Sequence, residues 1–222
     1  MKKFILFDHD GVLVNTEHWY YMANKRALEE LGIDLSLPVY LELMANGTKV
    51  WTLAQAAGID AQAIHESRTR RDSYYQQYLM SEDIEISGVV ETLKEVSSFC
   101  NMAIVTTSRR VDFELIHRDR QIIDYMDFVL TVEDYARAKP HPEPYLSALR
   151  RFQATPDQAI VVEDSARGLK SAVAAGVDCI VVHNDFTASH DLSAATMKIE
   201  TICELPAIME EFMRGGGRTR QA

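Results

Sequence analysis

The tightest constraint on this chain's fold is a short apolar run that ends in two acids. Phe4-Ile5-Leu6-Phe7 is followed at once by Asp8-His9-Asp10-Gly11. Consecutive apolar residues over one strand length read as a strand buried on both faces, the kind found inside a parallel sheet. The glycine marks a sharp turn directly after it. Carboxylates at the end of a buried strand are costly unless something pairs with them. Hard divalent cations prefer oxygen ligands and suit that position.

Downstream, the pattern alternates. Helices are predicted over 89–98, 111–118, 142–152 and 166–175, and strands over 102–106, 128–131, 159–162 and 179–182. Strands alternating with helices call for a parallel sheet covered on both faces. Ligands bind beyond the carboxyl ends of such strands, where strand order reverses, so the residues after each run are the candidates. They are Thr106-Thr107-Ser108, Lys139 in Lys-Pro-His-Pro, and Glu163-Asp164-Ser165.

Between the first strand and this alternating region the pattern is helical. Met22, Ala23, Ala27, Leu28 and Leu31 repeat at helical spacing, with Thr16 as a cap and Gly32 as a stop. Further helices are expected over 37–44, 49–57 and 61–78. The predicted organisation is a core of residues 1–15 and 86–222 with a helical insert at 16–85. The polar stretch 81–87 is expected to act as a hinge.

The bulk properties narrow the function. A chain of 222 residues fits one α/β domain with a small insert. No apolar run approaches the roughly 18 residues that span a membrane. The net charge of −10 argues against nucleic-acid binding and requires any phosphate site to supply local positive charge. Cys100, Cys179 and Cys203 are scattered and read as reduced thiols. The first strand begins almost at the N-terminus, leaving no room for a signal peptide, and a cytoplasmic location is expected. The stretch 214–222 reads as a frayed end.

The block from Phe4 to Glu17 resembles the first motif of the haloacid dehalogenase superfamily, in its phosphatase and β-phosphoglucomutase branch. Asn15 departs from it, since the family more often has aspartate there. Thr106 matches the second motif, with Thr107 and Ser108 as further phosphate donors. Lys139 matches the third. Glu163-Asp164-Ser165-Ala166-Arg167-Gly168 matches the fourth, in which Gly168 serves close packing.

This resemblance implies a Rossmann-like core with an all-helical cap that closes over the substrate. It implies Mg²⁺ held by the Asp8 carboxylate, the Asp10 main-chain carbonyl and Asp164, with Glu163 a direct or outer ligand. Asp8 is then the nucleophile and Asp10 the general acid and base, while Lys139 and Thr106 stabilise transferred charge. The expected reaction is hydrolysis of a small phosphate ester, such as a sugar phosphate. A true dehalogenase normally lacks the second aspartate, and a mere binding protein would not need every catalytic position filled.

The rival is a β-phosphoglucomutase-like mutase. Those enzymes carry a cap histidine ten residues after the acid–base aspartate, where this chain has Tyr20, and a cap arginine at the position of Val50. Lys49 is adjacent but cannot reproduce a bidentate arginine contact. His18, Tyr20, Tyr21, Lys49 and Trp51 are the candidate substrate contacts in the cap.

Overall fold

The computed structural model describes residues 2–213, so the expected frayed end lies outside the described residues. In chain order the elements are β1 (Phe4–Phe7), α1 (Glu17–Glu29), α2 (Leu37–Ala45), α3 (Thr52–Ala56), α4 (Ala61–Ser81), α5 (Val89–Val96), β2 (Asn101–Val105) and α6 (Arg110–Ile116). They continue with β3 (Phe128–Leu130), α7 (Glu143–Phe152), β4 (Ala159–Glu163), α8 (Ala166–Ala174), β5 (Asp178–Val182), β6 (Met197–Ile199) and α9 (Leu205–Met213). Two compact units result: 1–14 with 85–222, and 15–84.

The first unit holds a six-stranded sheet in the order β3-β2-β1-β4-β5-β6. Every neighbouring pair is parallel. β1 lies at the centre, with Phe7 in register with Ile104 on one side and Val162 on the other. The chain builds outward from β1 through β2 and β3, then crosses to the opposite side with β4. Strand order therefore reverses at β1, and the open crevice of such a sheet lies beyond its carboxyl end.

Burial explains the unbroken apolar runs. Alternate residues point to opposite faces. Leu6, Ala103, Val105, Val161 and Val181 form one core with Tyr145 and Leu149 of α7 and Leu169 and Ala172 of α8. Ile5, Phe7, Ile104, Ile160, Val162 and Ile180, on the other face, are also buried. β6 and α9 were not expected from the sequence. Met197-Lys198-Ile199 is a short edge strand with a central charge, too brief to stand out as an apolar run.

The second unit is helical. α4 is capped by Asp60, whose carboxylate accepts from the Gln62 and Ala63 N–H groups. Ser67 on α4 donates to the Ala27 carbonyl of α1 at 2.8 Å, and the Arg26 guanidinium lies over the Tyr74 ring. Gly32, at φ +76°, follows α1 and donates its N–H to the Glu29 carbonyl. Thr16 does stand at the start of α1, but its side chain makes no capping hydrogen bond. Its ψ of −13° is already helical, which aims the hydroxyl away from the first-turn N–H groups. Within this unit Tyr21 and Trp51 are buried, whereas His18, Tyr20 and Lys49 are exposed.

Candidate active site

β1 delivers Asp8, whose N–H donates to the Val162 carbonyl at 2.8 Å and so is fixed to β4. The chain then turns tightly, with the Leu13 N–H on the His9 carbonyl. Gly11 sits at φ +80°, and a side chain there would place its Cβ 2.3 Å from Asp164 Oδ2. Only glycine allows both the backbone angle and the approach of Asp164.

Lys139 links the two acidic strand ends. Its ammonium donates to Asp8 Oδ1 and Glu163 Oε1, each at 2.7 Å. The lysine side chain is 2% exposed and the Glu163 side chain 0%. Burial opposes the ammonium, but the charges of Asp8 and Glu163 outweigh it and hold the pKa above that of an ordinary lysine. Burial likewise opposes the Glu163 carboxylate, yet Lys139, together with hydrogen bonds from Tyr145 and the Ser165 N–H, brings its pKa below the usual value. Asp8 goes the other way. Burial and the Glu163 charge raise its pKa from 3.8 to about 6, against the opposing pull of Lys139.

Both Glu163 oxygens carry partners. Oε1 accepts from Lys139 and from the Tyr145 hydroxyl at 2.7 Å, and Oε2 from the Asp164 N–H and the Ser165 hydroxyl. Gly168 makes room for this network, because a Cβ there would lie 1.7 Å from Glu163 Oε1. Asp164 Oδ2 accepts from the Asn184 amide at 2.8 Å.

Asp8, Glu163 and Asp164 each offer a carboxylate oxygen within 4.8 Å of the others. Three carboxylates face one ammonium there, so negative charge is in excess in a largely buried place. All donors are hard oxygen atoms, which is the set a divalent cation such as Mg²⁺ takes. The residues fit such an ion.

The Asp10 carboxylate is not among the three. Its Oδ2 accepts from the Ser108 hydroxyl at 2.5 Å and lies 3.4 Å from the Thr106 hydroxyl and 3.3 Å from His9 Nδ1. Thr106 is buried, with its carbonyl accepting from the Tyr135 hydroxyl at 2.6 Å and its hydroxyl accepting from the Ser108 N–H at 3.0 Å. Thr107 is set apart from this group, and its hydroxyl accepts from Arg167 at 3.1 Å.

Four residues in these networks were passed over in the sequence. Asn184 stands two residues beyond β5, where the strand-end rule does point, but it lacked a neighbouring motif. Tyr145 sits inside α7 and reads as core. His9 occupies the variable position between the aspartates. His117, which directly follows α6 and has its Nε2 2.8 Å from His9 Nε2, had no signal.

Residues 5–182 match the haloacid dehalogenase-like hydrolase family. The chain belongs to that family. A validoxylamine A 7′-phosphate phosphatase of Streptomyces hygroscopicus is 27% identical over 87% of this chain and 90% of its own length. A fructose-1-phosphate phosphatase of Escherichia coli is 26% identical over 80% of this chain and 95% of its own. In fold, a β-phosphoglucomutase of Clostridium difficile superposes with a TM-score of 0.78 at 22% identity, covering 98% of this chain and all of that one (100%). As a family member this chain is a hydrolase. Among the described residues, no helix is long and apolar enough to cross a membrane.

Proposed function

We propose that this hydrolase is a Mg²⁺-dependent phosphatase of small phosphorylated metabolites, with sugar phosphates as its substrate class, working through an aspartyl-phosphate on Asp8. One observation carries the reading. Two aspartates one residue apart occupy opposite environments: Asp8 among carboxylates and a buried ammonium, Asp10 among neutral donors. Two carboxylates in contrasting surroundings take different chemical roles. The relative named as a fructose-1-phosphate phosphatase supports the substrate class.

In the first step a carboxylate oxygen of Asp8 attacks phosphorus and the bond to the leaving oxygen breaks. Asp10 gives that oxygen its proton. In the second step Asp10 takes a proton from water as the water attacks phosphorus, and Asp8 is released. Lys139 and the hydroxyls of Thr106 and Ser108 stabilise charge on the transferred oxygens, with Thr107 at the edge of that loop. Asp8, the Asp10 main-chain carbonyl and Asp164 would hold Mg²⁺. Glu163 supports them from outside, since both its oxygens already carry hydrogen bonds. The bound ion would offset the repulsion between the Asp8 carboxylate and the phosphate dianion.

Hydrolysis is favoured over phosphoryl exchange by the cap sequence. Where the resemblance gives mutases a histidine, Tyr20 instead bonds to and stacks with Arg71. Where it gives them an arginine, Val50 is buried. The test is incubation with Mg²⁺, β-glucose 1-phosphate and a bisphosphate primer, following glucose 6-phosphate and free phosphate. Phosphate release is expected, and rapid isomerisation with negligible release would overturn the reading.

A further inference from the structure

Beside Asp10 lies a buried pair of imidazoles that the mechanism above does not use. His9 is 0% exposed and His117 4%. Their Nε2 atoms are 2.8 Å apart, and His9 Nδ1 is 3.3 Å from Asp10 Oδ2. Phe113 packs against both rings, at 5.0 Å from His9 and 4.4 Å from His117. His117 Nδ1 is buried with no hydrogen-bond partner among the described residues.

These contacts fix where the protons sit. Burial, reinforced by His9 and Arg120, pushes the His117 pKa down to about 3, so this ring is neutral and has one bare nitrogen. The bare atom is Nδ1, because a buried lone pair without a partner costs less than a buried N–H without one. His117 therefore donates from Nε2 to His9 Nε2. The His9 proton is then on Nδ1, directed at Asp10. An ionised carboxylate only accepts, so the polarity of the chain is consistent from end to end.

We infer that His117 and His9 are positioning residues that hold Asp10 in its acid–base orientation. His9, Ser108 and Thr106 all address the same Asp10 oxygen, Oδ2. Two apolar side chains would fill this space without burying four ring nitrogens, so the polar pair has a use only through Asp10. The Ser108 and Thr106 hydroxyls on the same oxygen add no formal charge next to the metal-binding carboxylates. The inference rests on the phosphatase reading, in which Asp10 is the acid and base.

Leaving-group dependence tests it. Proton donation matters for an alkyl phosphate and little for 4-nitrophenyl phosphate, whose phenolate leaves unaided, and kcat/KM reports only the first step. His9→Leu should lower kcat/KM for the alkyl ester about tenfold more than for the nitrophenyl ester. His9→Asn, with an amide N–H near the position of Nδ1, should restore most of that difference. His117→Phe keeps the ring shape, and should shift selectivity in the same direction even if His9→Leu does not fold. Equal losses on both esters, or none, in the folded variants overturn the positioning role while leaving the phosphatase reading intact. A wild-type protein that hydrolyses neither ester with Mg²⁺ overturns that reading and this inference with it.

Discussion

Each of the two units buries a cation, and the company of that cation differs. In the helical unit Arg71 meets one carboxylate, Asp72, and otherwise the neutral groups of Tyr20 and Asn24. Its charge is matched locally, and the cluster ties α1 to α4. In the sheet unit Lys139 meets Asp8 and Glu163, with Asp164 beside them. Here negative charge outruns positive charge. A balanced cluster needs nothing further and reads as architecture. An unbalanced buried cluster is unfavourable until a cation arrives, so it reads as a binding site.

The largest expected effect falls on the unbalanced side. Asp8→Asn should lower kcat/KM by about a thousandfold or more, because it removes the nucleophile with little change in volume. Circular dichroism should show an intact fold. Arg71→Met should instead weaken the structure, by about 2 kcal/mol from the loss of a buried hydrogen-bonded charge, with kcat for 4-nitrophenyl phosphate changed only a fewfold. A reversal of these two outcomes would break the comparison.

Asp10→Asn comes next, with a loss of about a hundredfold or more, the scale of general acid–base catalysis. Mg²⁺ affinity, measured calorimetrically, should be nearly kept, because the side chain lies outside the carboxylate cluster. Affinity lost as fully as in Asp164→Ala would contradict this division between the two aspartates.

Two glycines sharpen the contrast. Gly168→Ala would drive a Cβ into Glu163, for a cost of about 3 kcal/mol and reduced activity. At Gly32 there is open space, but φ is +76°, so Gly32→Ala should cost only about 1 kcal/mol and leave turnover unchanged. Urea titrations and initial rates check both.

The metal-free protein should also show a pH dependence in its stability. Asp8 binds its proton more tightly folded, at about 6, than its ordinary value of 3.8. It therefore favours the folded state below 3.8, and that contribution is lost as pH rises through about 6. The total is roughly 3 kcal/mol. Glu163, whose folded pKa is lowered, acts in the opposite sense, with its contribution lost as pH falls below its ordinary value of 4.5. From about 4.5 to 6 His117, whose folded pKa burial lowers to about 3, acts in the opposite sense to Asp8, so the Asp8 contribution shows as a difference: the melting temperature of the metal-free wild type relative to Asp8→Asn should fall as pH rises.

The sheet unit was the more legible in sequence because its signals coincide. β1, β2, β4 and β5 are buried on both faces and read as unbroken apolar runs, and the polar residues that matter follow them directly. Asp8, Thr106 and Asp164 could be found from position alone. Lys139 could not, since it arrives from a loop and needed its proline context. β6, at an edge and centred on Lys198, gave too weak a pattern. The helical unit gave its helices by spacing, with ends displaced where Lys49, Val50 and Trp51 lead into α3. Arg71 and His117 were not legible, because their roles depend on partners 51 and 108 residues away.

The most direct test of the account is to trap the covalent intermediate. Asp10→Asn should be mixed with Mg²⁺ and 4-nitrophenyl phosphate, quenched in acid, digested and mapped by mass spectrometry. The account predicts one added phosphoryl group on the peptide containing Asp8, absent without Mg²⁺ and absent in the Asp8→Asn, Asp10→Asn double variant. Phosphate release by the wild type with no phosphoryl group on that peptide, and undiminished release by Asp8→Asn, would contradict it.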